Sequence, residues 1–84
     1  MRIELRKQPQ KYMIRCTESA YNKINKALIG LEDWEGDIKE LQGGKDEYRL
    51  KLPPFRILFK YVKGEEVITV FKIKTRGDVY KKGR

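Results

Sequence analysis

Two neighbouring stretches decide the fold of this chain: YRLKL at Tyr48–Leu52 and FRILF at Phe55–Phe59. In both, cationic side chains are interleaved with apolar ones, and a period of two is typical of a β-strand with one buried face. Pro53 and Pro54 separate the two stretches, since proline donates no backbone hydrogen bond to a sheet. The sequence therefore predicts two strands, the second extending to residue 62, in a sheet with one apolar and one basic face.

A third strand and the elements upstream follow from the same kind of pattern. Residues 66–74 are predicted to form a hairpin with residues 55–62 through a glycine-containing turn. At the start of the chain, residues 2–6 alternate again and predict a short strand. Helical spacing then runs from Pro9, a residue suited to a first helical turn, to Leu31.

The helical region is predicted to divide at Thr17, which can cap a helix that has Glu18 in its first turn. Periodicity alone also allows one long helix. Residues 32–47 are rich in acids and glycines and predict a polar connector. The resulting order, β-α-α-β-β-β, predicts an α+β fold with both helices on one face of an antiparallel sheet, in a single domain over residues 1–84.

The charge is concentrated in one half of the chain. The net charge is +8, from 20 Lys and Arg against 12 Asp and Glu, and residues 43–84 carry +7 of it. A basic excess on the half that forms the sheet is expected of a protein that binds a phosphodiester backbone. The same count also fits a basic surface kept for solubility, or one that an acidic protein partner neutralises.

The residues that are missing exclude several kinds of chemistry. The chain has one cysteine, Cys16, and no histidine. An intrachain disulfide is therefore excluded and a reducing compartment is expected. Without histidine, a zinc site and an imidazole-activated nucleophile are not expected, and nothing indicates a cofactor. No apolar run reaches membrane-spanning length, so the sequence predicts a soluble, cytoplasmic protein without a membrane partner.

The basic face offers groups that suit phosphodiester cleavage without a metal. Attack of a ribose 2′-hydroxyl on its own phosphate builds negative charge on the phosphate oxygens, which guanidinium groups can meet with paired hydrogen bonds. Without histidine, proton transfer falls to Lys or Tyr. The candidates are Arg49, Lys51, Arg56, Lys60, Lys72, Lys74 and Arg76, together with Tyr80. The cations could instead be a solvated face that protects a sheet edge, and Tyr80 could pack the tail onto the sheet.

The chain resembles the RelE/ParE superfamily of toxins from bacterial type II toxin–antitoxin systems, on the RelE side. The resemblance rests on the order of four motifs, at Ile38–Gly43, Tyr48–Leu52, Phe55–Phe59 and Arg76–Tyr80. It implies a RelE-like α+β fold and an endoribonuclease that cuts mRNA in the ribosomal A site, with the 2′-hydroxyl as nucleophile and without metal or cofactor. It also implies a cognate antitoxin, a small protein that wraps the toxin and neutralises its basic face.

Carried over onto this sequence, the resemblance implies a catalytic set of Arg49, Lys51, Arg56, Arg76 and Tyr80. In this set Arg56 would stabilise the phosphate, and either Lys51 or Tyr80 would move the proton. The remaining basic residues near the site are predicted to bind RNA: Lys60, Lys72, Lys74, Lys81 and Lys82. Two other functions stay open, a ParE-like toxin that binds DNA gyrase without chemistry of its own and a plain RNA-binding module.

Overall fold

A computed structural model describes residues 1–75 of the chain. Over these residues the elements are β1 (Arg2–Leu5), α1 (Lys7–Arg15), α2 (Glu18–Leu31), β2 (Asp37–Glu40), β3 (Glu47–Leu52), β4 (Phe55–Lys60) and β5 (Val67–Thr75). The strands form one sheet in the order β1-β5-β4-β3-β2. Neighbouring strands run antiparallel except β1 and β5, which are parallel. The α+β fold class is therefore confirmed.

The predicted break between the helices is confirmed at Thr17. The Thr17 hydroxyl accepts a hydrogen bond from the backbone N–H of Ala20 at 3.1 Å, which makes it the N-cap of α2. Glu18 lies in the first turn, where a carboxylate interacts favourably with the helix dipole. A cap of this kind typically stabilises a helix by about 1 kcal/mol, so α2 is a separate helix rather than a continuation of α1.

The prediction of a polar connector over residues 32–47 is wrong at Asp37–Glu40, which forms β2. The observed order is β-α-α-β-β-β-β, and β2 pairs antiparallel with β3, with Ile38 opposite Leu50. Three of the four β2 side chains are exposed. The strand conformation therefore depends on backbone pairing with β3, which is a non-local contact that the local sequence pattern does not encode.

The core lies between the helices and one face of the sheet. Its buried apolar side chains are Met13, Ile24, Leu28, Leu31, Leu50, Phe55, Ile57, Phe59, Ile68, Val70 and Ile73. Within residues 1–75, no polar or charged residue is buried among them. The titratable side chains of this part of the chain therefore sit at the surface or at the rim of the core.

A β-bulge in β5 changes which residues of that strand face the helices. Phe59 pairs with Val70 and Leu58 pairs with Lys72, so that Phe71 is an extra residue between the two pairs. In a regular strand every second residue lies on the same face, and one extra residue exchanges the faces beyond it. The bulge therefore divides β5 into two segments of opposite alternation.

Candidate functional site

The face of the sheet that points away from the helices is basic. On β3, Leu50 is buried in the core, so the flanking Arg49 and Lys51 point to the opposite face. On β4, Arg56 lies between buried neighbours and shares that face. Beyond the bulge, Ile73 faces the core and Lys74 faces away from it. The basic face predicted from the alternation of side chains is thus present on three adjacent strands.

Three cations lie side by side across these strands. Lys51 is the register partner of Arg56, and Arg56 is the register partner of Lys74. We call these three residues the cationic row. Directly opposed Cβ atoms on neighbouring strands lie about 5 Å apart, and like charges in such positions repel one another. The sheet therefore holds three positive charges in an arrangement that costs it stability.

Little negative charge compensates the cationic row. Asp37 of β2 is the register partner of Lys51, but the two side chains form no ion pair. In the part of the chain that the structure describes, the one ion pair joins Arg2 and Glu4 at 3.0 Å. The field of the cationic row is consequently directed at solvent, where it attracts anions.

The cationic row lines a groove of about 650 Å³, together with Pro53, Pro54, Phe55 and Thr75. Lys51, Arg56 and Lys74 are all exposed, and Arg56 lies in the middle of the row. An anionic group in this groove is within reach of a guanidinium fork and of two ammonium groups.

Arg49 lies one row away from the groove. Its register partners are Lys39 on β2 and Leu58 on β4. The Nε atom of Arg49 is buried and has no hydrogen-bond partner among the described residues. A buried donor without a partner costs about 1–3 kcal/mol. Arg49 is therefore partly enclosed, and it carries a hydrogen-bonding capacity that its surroundings do not use.

The predicted RNA-binding lysines fall into separate places. Lys74 belongs to the cationic row, and Lys72 lies opposite Leu58 in the next row. Lys60 is the register partner of Glu47, about 13 Å along β4 from Arg56 at the spacing of a strand. Lys60 is thus not part of the groove. Lys39 is not among the predicted residues because β2 is not predicted. The sequence around Lys39 offers little to identify it, apart from Asp37 two residues earlier, which lies on the same face of the strand.

The remaining predicted site residues lie outside the described part of the chain. They are Arg76, Tyr80, Lys81 and Lys82. Their contribution to the groove stays a prediction from the sequence.

Tyr48 is the aromatic residue nearest to Arg49 along β3, but it belongs to the other face. Burial raises the pKa of its hydroxyl above 10.0, and the carboxylates of Glu40 and Asp46 raise the pKa further. Its ring stacks on Phe59 at 5.5 Å and contacts Trp34 at 5.1 Å. Tyr48 therefore stays protonated near neutral pH and serves the core rather than the groove.

Residues 1–75 contain no group of acidic and cysteine side chains that could hold a metal ion. Neither of the two helices described is long and apolar enough to cross a membrane.

Comparison with known proteins identifies the fold. Neither a family model nor a curated protein matches the sequence. The isolated E. coli RelE toxin superposes with a TM-score of 0.75 at 17% identity, covering 98% of this chain and 93% of that chain. A chain of the archaeal RelE–RelB complex from Pyrococcus horikoshii OT3 superposes with a TM-score of 0.73 at 24% identity, with coverage of 92% and 96%.

A third match is the RelB–RelE antitoxin–toxin complex from Methanococcus jannaschii, with a TM-score of 0.70 at 15% identity and coverage of 96% and 99%. The identities are low while the coverage of both chains is nearly complete. The protein therefore has the RelE fold, as predicted from the four sequence motifs.

Proposed function

We propose that this protein is the toxin of a type II toxin–antitoxin system and that it cuts mRNA on the ribosome. The observation that carries the proposal is the cationic row, Lys51, Arg56 and Lys74, which lines a groove without a carboxylate ion-paired to it among the described residues. The RelE fold supports the same assignment. A groove of this kind suits a substrate that carries one negative charge per nucleotide.

The proposed reaction is attack of a ribose 2′-oxygen on the adjacent phosphorus. The new bond joins the 2′-oxygen to phosphorus, and the bond from phosphorus to the 5′-oxygen breaks. The products are a 2′,3′-cyclic phosphate and a free 5′-hydroxyl. One proton leaves the 2′-hydroxyl and one is delivered to the 5′-oxygen, so no metal or cofactor is needed for the balance.

Each member of the cationic row has a proposed part in this reaction. Arg56, in the middle, donates two hydrogen bonds to the non-bridging oxygens as they gain charge. Lys74 neutralises the neighbouring phosphate. Lys51 is one candidate for the group that takes the proton from the 2′-hydroxyl, and Tyr80, outside the described residues, is the other. Arg49 and Arg76 complete the proposed set.

We further propose a cognate antitoxin as partner. Two of the matched structures are complexes of RelE with RelB, and the net charge of +8 favours an acidic partner. Association driven by charge accelerates at low salt and slows as salt screens the surfaces.

The test is a cleavage assay on translating ribosomes with mapping of new mRNA 5′ ends. We expect wild-type protein to cut within the A-site codon, and Arg56→Ala to lower the single-turnover rate by about 10²–10³-fold, the usual effect of removing one donor from a preorganised site. Lys63→Ala is the matched control, because Lys63 is an exposed cation in the turn after β4. It should cleave at the wild-type rate.

Two results would overturn the proposed function. One is a preparation that yields no new 5′ ends on ribosomes, whether or not it binds ribosomes or inhibits DNA gyrase. The other is an Arg56→Ala variant that cleaves as fast as Lys63→Ala.

A further inference from the structure

A second line of cations runs along α1. Lys7, Lys11 and Arg15 are spaced four residues apart, so they share one side of the helix, and all three are exposed. We call them the helix stripe. Successive members are about 6 Å apart along the helix axis, which is close to the separation of neighbouring phosphates in one nucleic-acid strand.

The helix stripe is not explained by helix stability. Lys7 is the first helical residue and the first turn of α1 contains no acid, although the positive end of the helix dipole disfavours a cation there. Like charges four residues apart also repel along a helix. The neighbouring helix α2 has the usual arrangement, with Glu18 in its first turn. Lys7 therefore opposes the helix dipole, and the three cations repel one another, whereas Arg15 lies in the last turn, where the dipole favours a cation.

The helix stripe and the cationic row border one continuous surface. The stripe lines a second groove of about 890 Å³. Pro54, Phe55 and Thr75 line both this groove and the groove of the cationic row. The surface thus has cations at both ends and these three residues at the junction.

We propose that the helix stripe binds the phosphodiester backbone of the same single RNA strand that the cationic row binds, on the segment flanking the scissile phosphate. This inference rests on the proposed function and extends it. Three observations support it: the spacing of the cations, the unfavourable position of Lys7 at the start of the helix and the shared walls of the two grooves. Binding through backbone phosphates is independent of base sequence.

The surface where the two grooves meet suits a nucleotide that lies between the helix stripe and the cationic row. Tyr12 lines the second groove and meets the ring of Phe55 edge-on, with 6.4 Å between the ring centres and an angle of 87°. Phe55 itself is buried, so the exposed part of the apolar wall between the cationic row and the helix stripe comes from Pro54 and the half-buried Tyr12. Riboses and base faces pack on such walls while their phosphates face the cations.

The test measures binding of 2′-O-methyl RNA, which lacks the nucleophile and is not cleaved. Fluorescence anisotropy with the full chain compares a short oligomer of about 4 nucleotides, which fills one groove, with a long one of about 12, which spans both. The variant is Lys11→Ala/Arg15→Ala. The control is Lys26→Ala/Lys63→Ala, which removes the same charge from exposed positions that line neither of these grooves. Circular dichroism checks that both variants are folded.

The expected result is a loss that depends on length. The stripe variant should bind the long oligomer about 10-fold more weakly than the control does near 0.1 M salt, and its slope of log K against log salt should be smaller by about 1.4, for two lost contacts on a single strand. The short oligomer should distinguish variant from control by less than about 2-fold.

Four results would overturn the inference. Two are equal losses for long and short oligomers and equal losses for variant and control. A third is a loss of affinity that is seen with a polyglutamate peptide in the same assay and not with RNA, which would make the stripe a surface for an acidic protein. Wild-type protein that binds neither oligomer would overturn it as well. The ribosome assay with Arg56→Ala decides the cleavage activity independently of all these outcomes.

Discussion

The side-chain amide of Gln8 forms two hydrogen bonds with the backbone of Ile73, one as acceptor and one as donor. Its Oε1 accepts a hydrogen bond from the Ile73 N–H at 2.8 Å, and its Nε2 donates to the Ile73 carbonyl at 3.0 Å. Pairing of β1 with β5 ends at Leu5 and Val70. Gln8 therefore takes the place of a strand along the next part of the β5 edge, directly before Lys74 of the cationic row.

Replacement of Gln8 by Ala should destabilise the protein by about 1–3 kcal/mol, because two hydrogen bonds are lost and the Ile73 backbone groups are left unpaired. Urea unfolding measures the change. Gln10→Ala is the matched control, since Gln10 makes one exposed hydrogen bond, from its Nε2 to the Leu5 carbonyl. A loss for Gln8→Ala no larger than that for Gln10→Ala would show that the pairing is not important for the β5 edge.

Removal of the middle charge of the cationic row should change stability and cleavage in opposite directions. Arg56→Gln is expected to stabilise the fold by a few tenths of a kcal/mol, because it relieves repulsion from Lys51 and Lys74, while it slows cleavage. The gain should shrink as salt screens the charges. Urea unfolding at low and high salt measures it, with Lys63→Gln as control. Equal stability changes in the two variants at low salt would contradict the role given to cross-strand repulsion.

The raised pKa of Tyr48 predicts a loss of stability in alkali. In the unfolded chain its hydroxyl titrates near the ordinary value of 10.0, and in the folded protein it titrates higher, chiefly because of burial. The contribution of this hydroxyl to the free energy of unfolding is therefore fully present below pH 10.0. It is lost as the pH rises through the higher pKa of the folded protein, because ionisation is easier in the unfolded chain. Urea midpoints followed by Trp34 fluorescence should fall with rising pH more steeply in wild type than in Tyr48→Phe. Parallel curves would disprove the assignment.

Gly36 precedes β2 in a conformation that favours glycine. Its φ is +126°, and a Cβ atom there would lie 2.6 Å from Cδ1 of Leu50, a core side chain with only 2% exposure. Gly43 has a φ of +83°, and a Cβ atom there would meet nothing within 4 Å. We expect Gly43→Ala to cost about 1 kcal/mol from backbone strain, and Gly36→Ala to cost about 1–3 kcal/mol more from overpacking. Thermal unfolding would refute this difference if the two variants melted together.

The sequence predicted the elements that carry their own local pattern. The alternation of β3 and β4, the cap at Thr17 and the basic face all follow from periods of two or of about 3.6 residues and from capping chemistry. The strand β2 is not predicted because only Ile38 of its side chains is partly buried and its conformation comes from pairing. The parallel contact of β1 with β5 joins residues more than sixty positions apart, and no local rule reports it.

The candidate site is predictable in part for the same reason. Lys51 and Arg56 share a face by alternation within their own strands, and the structure brings them into register. The alignment of Lys74 with these two residues depends on the bulge at Phe71. The residue pattern of β5 does not predict this bulge. The sequence analysis does not single out the helix stripe, because its proximity to Phe55 exists only in the folded chain.

The bulge at Phe71 limits how the length of β5 can vary among related proteins. Val70 and Ile73 both face the core although two residues separate them, and a regular strand would need one residue between them to do the same. Homologous sequences should therefore fall into two groups. One group has two residues between the positions of Val70 and Ile73 and forms the bulge, and the other has one residue there and a regular pairing of β4 with β5. The turn around Gly64, where a Cβ atom would meet nothing within 4 Å, should vary in length without this restriction.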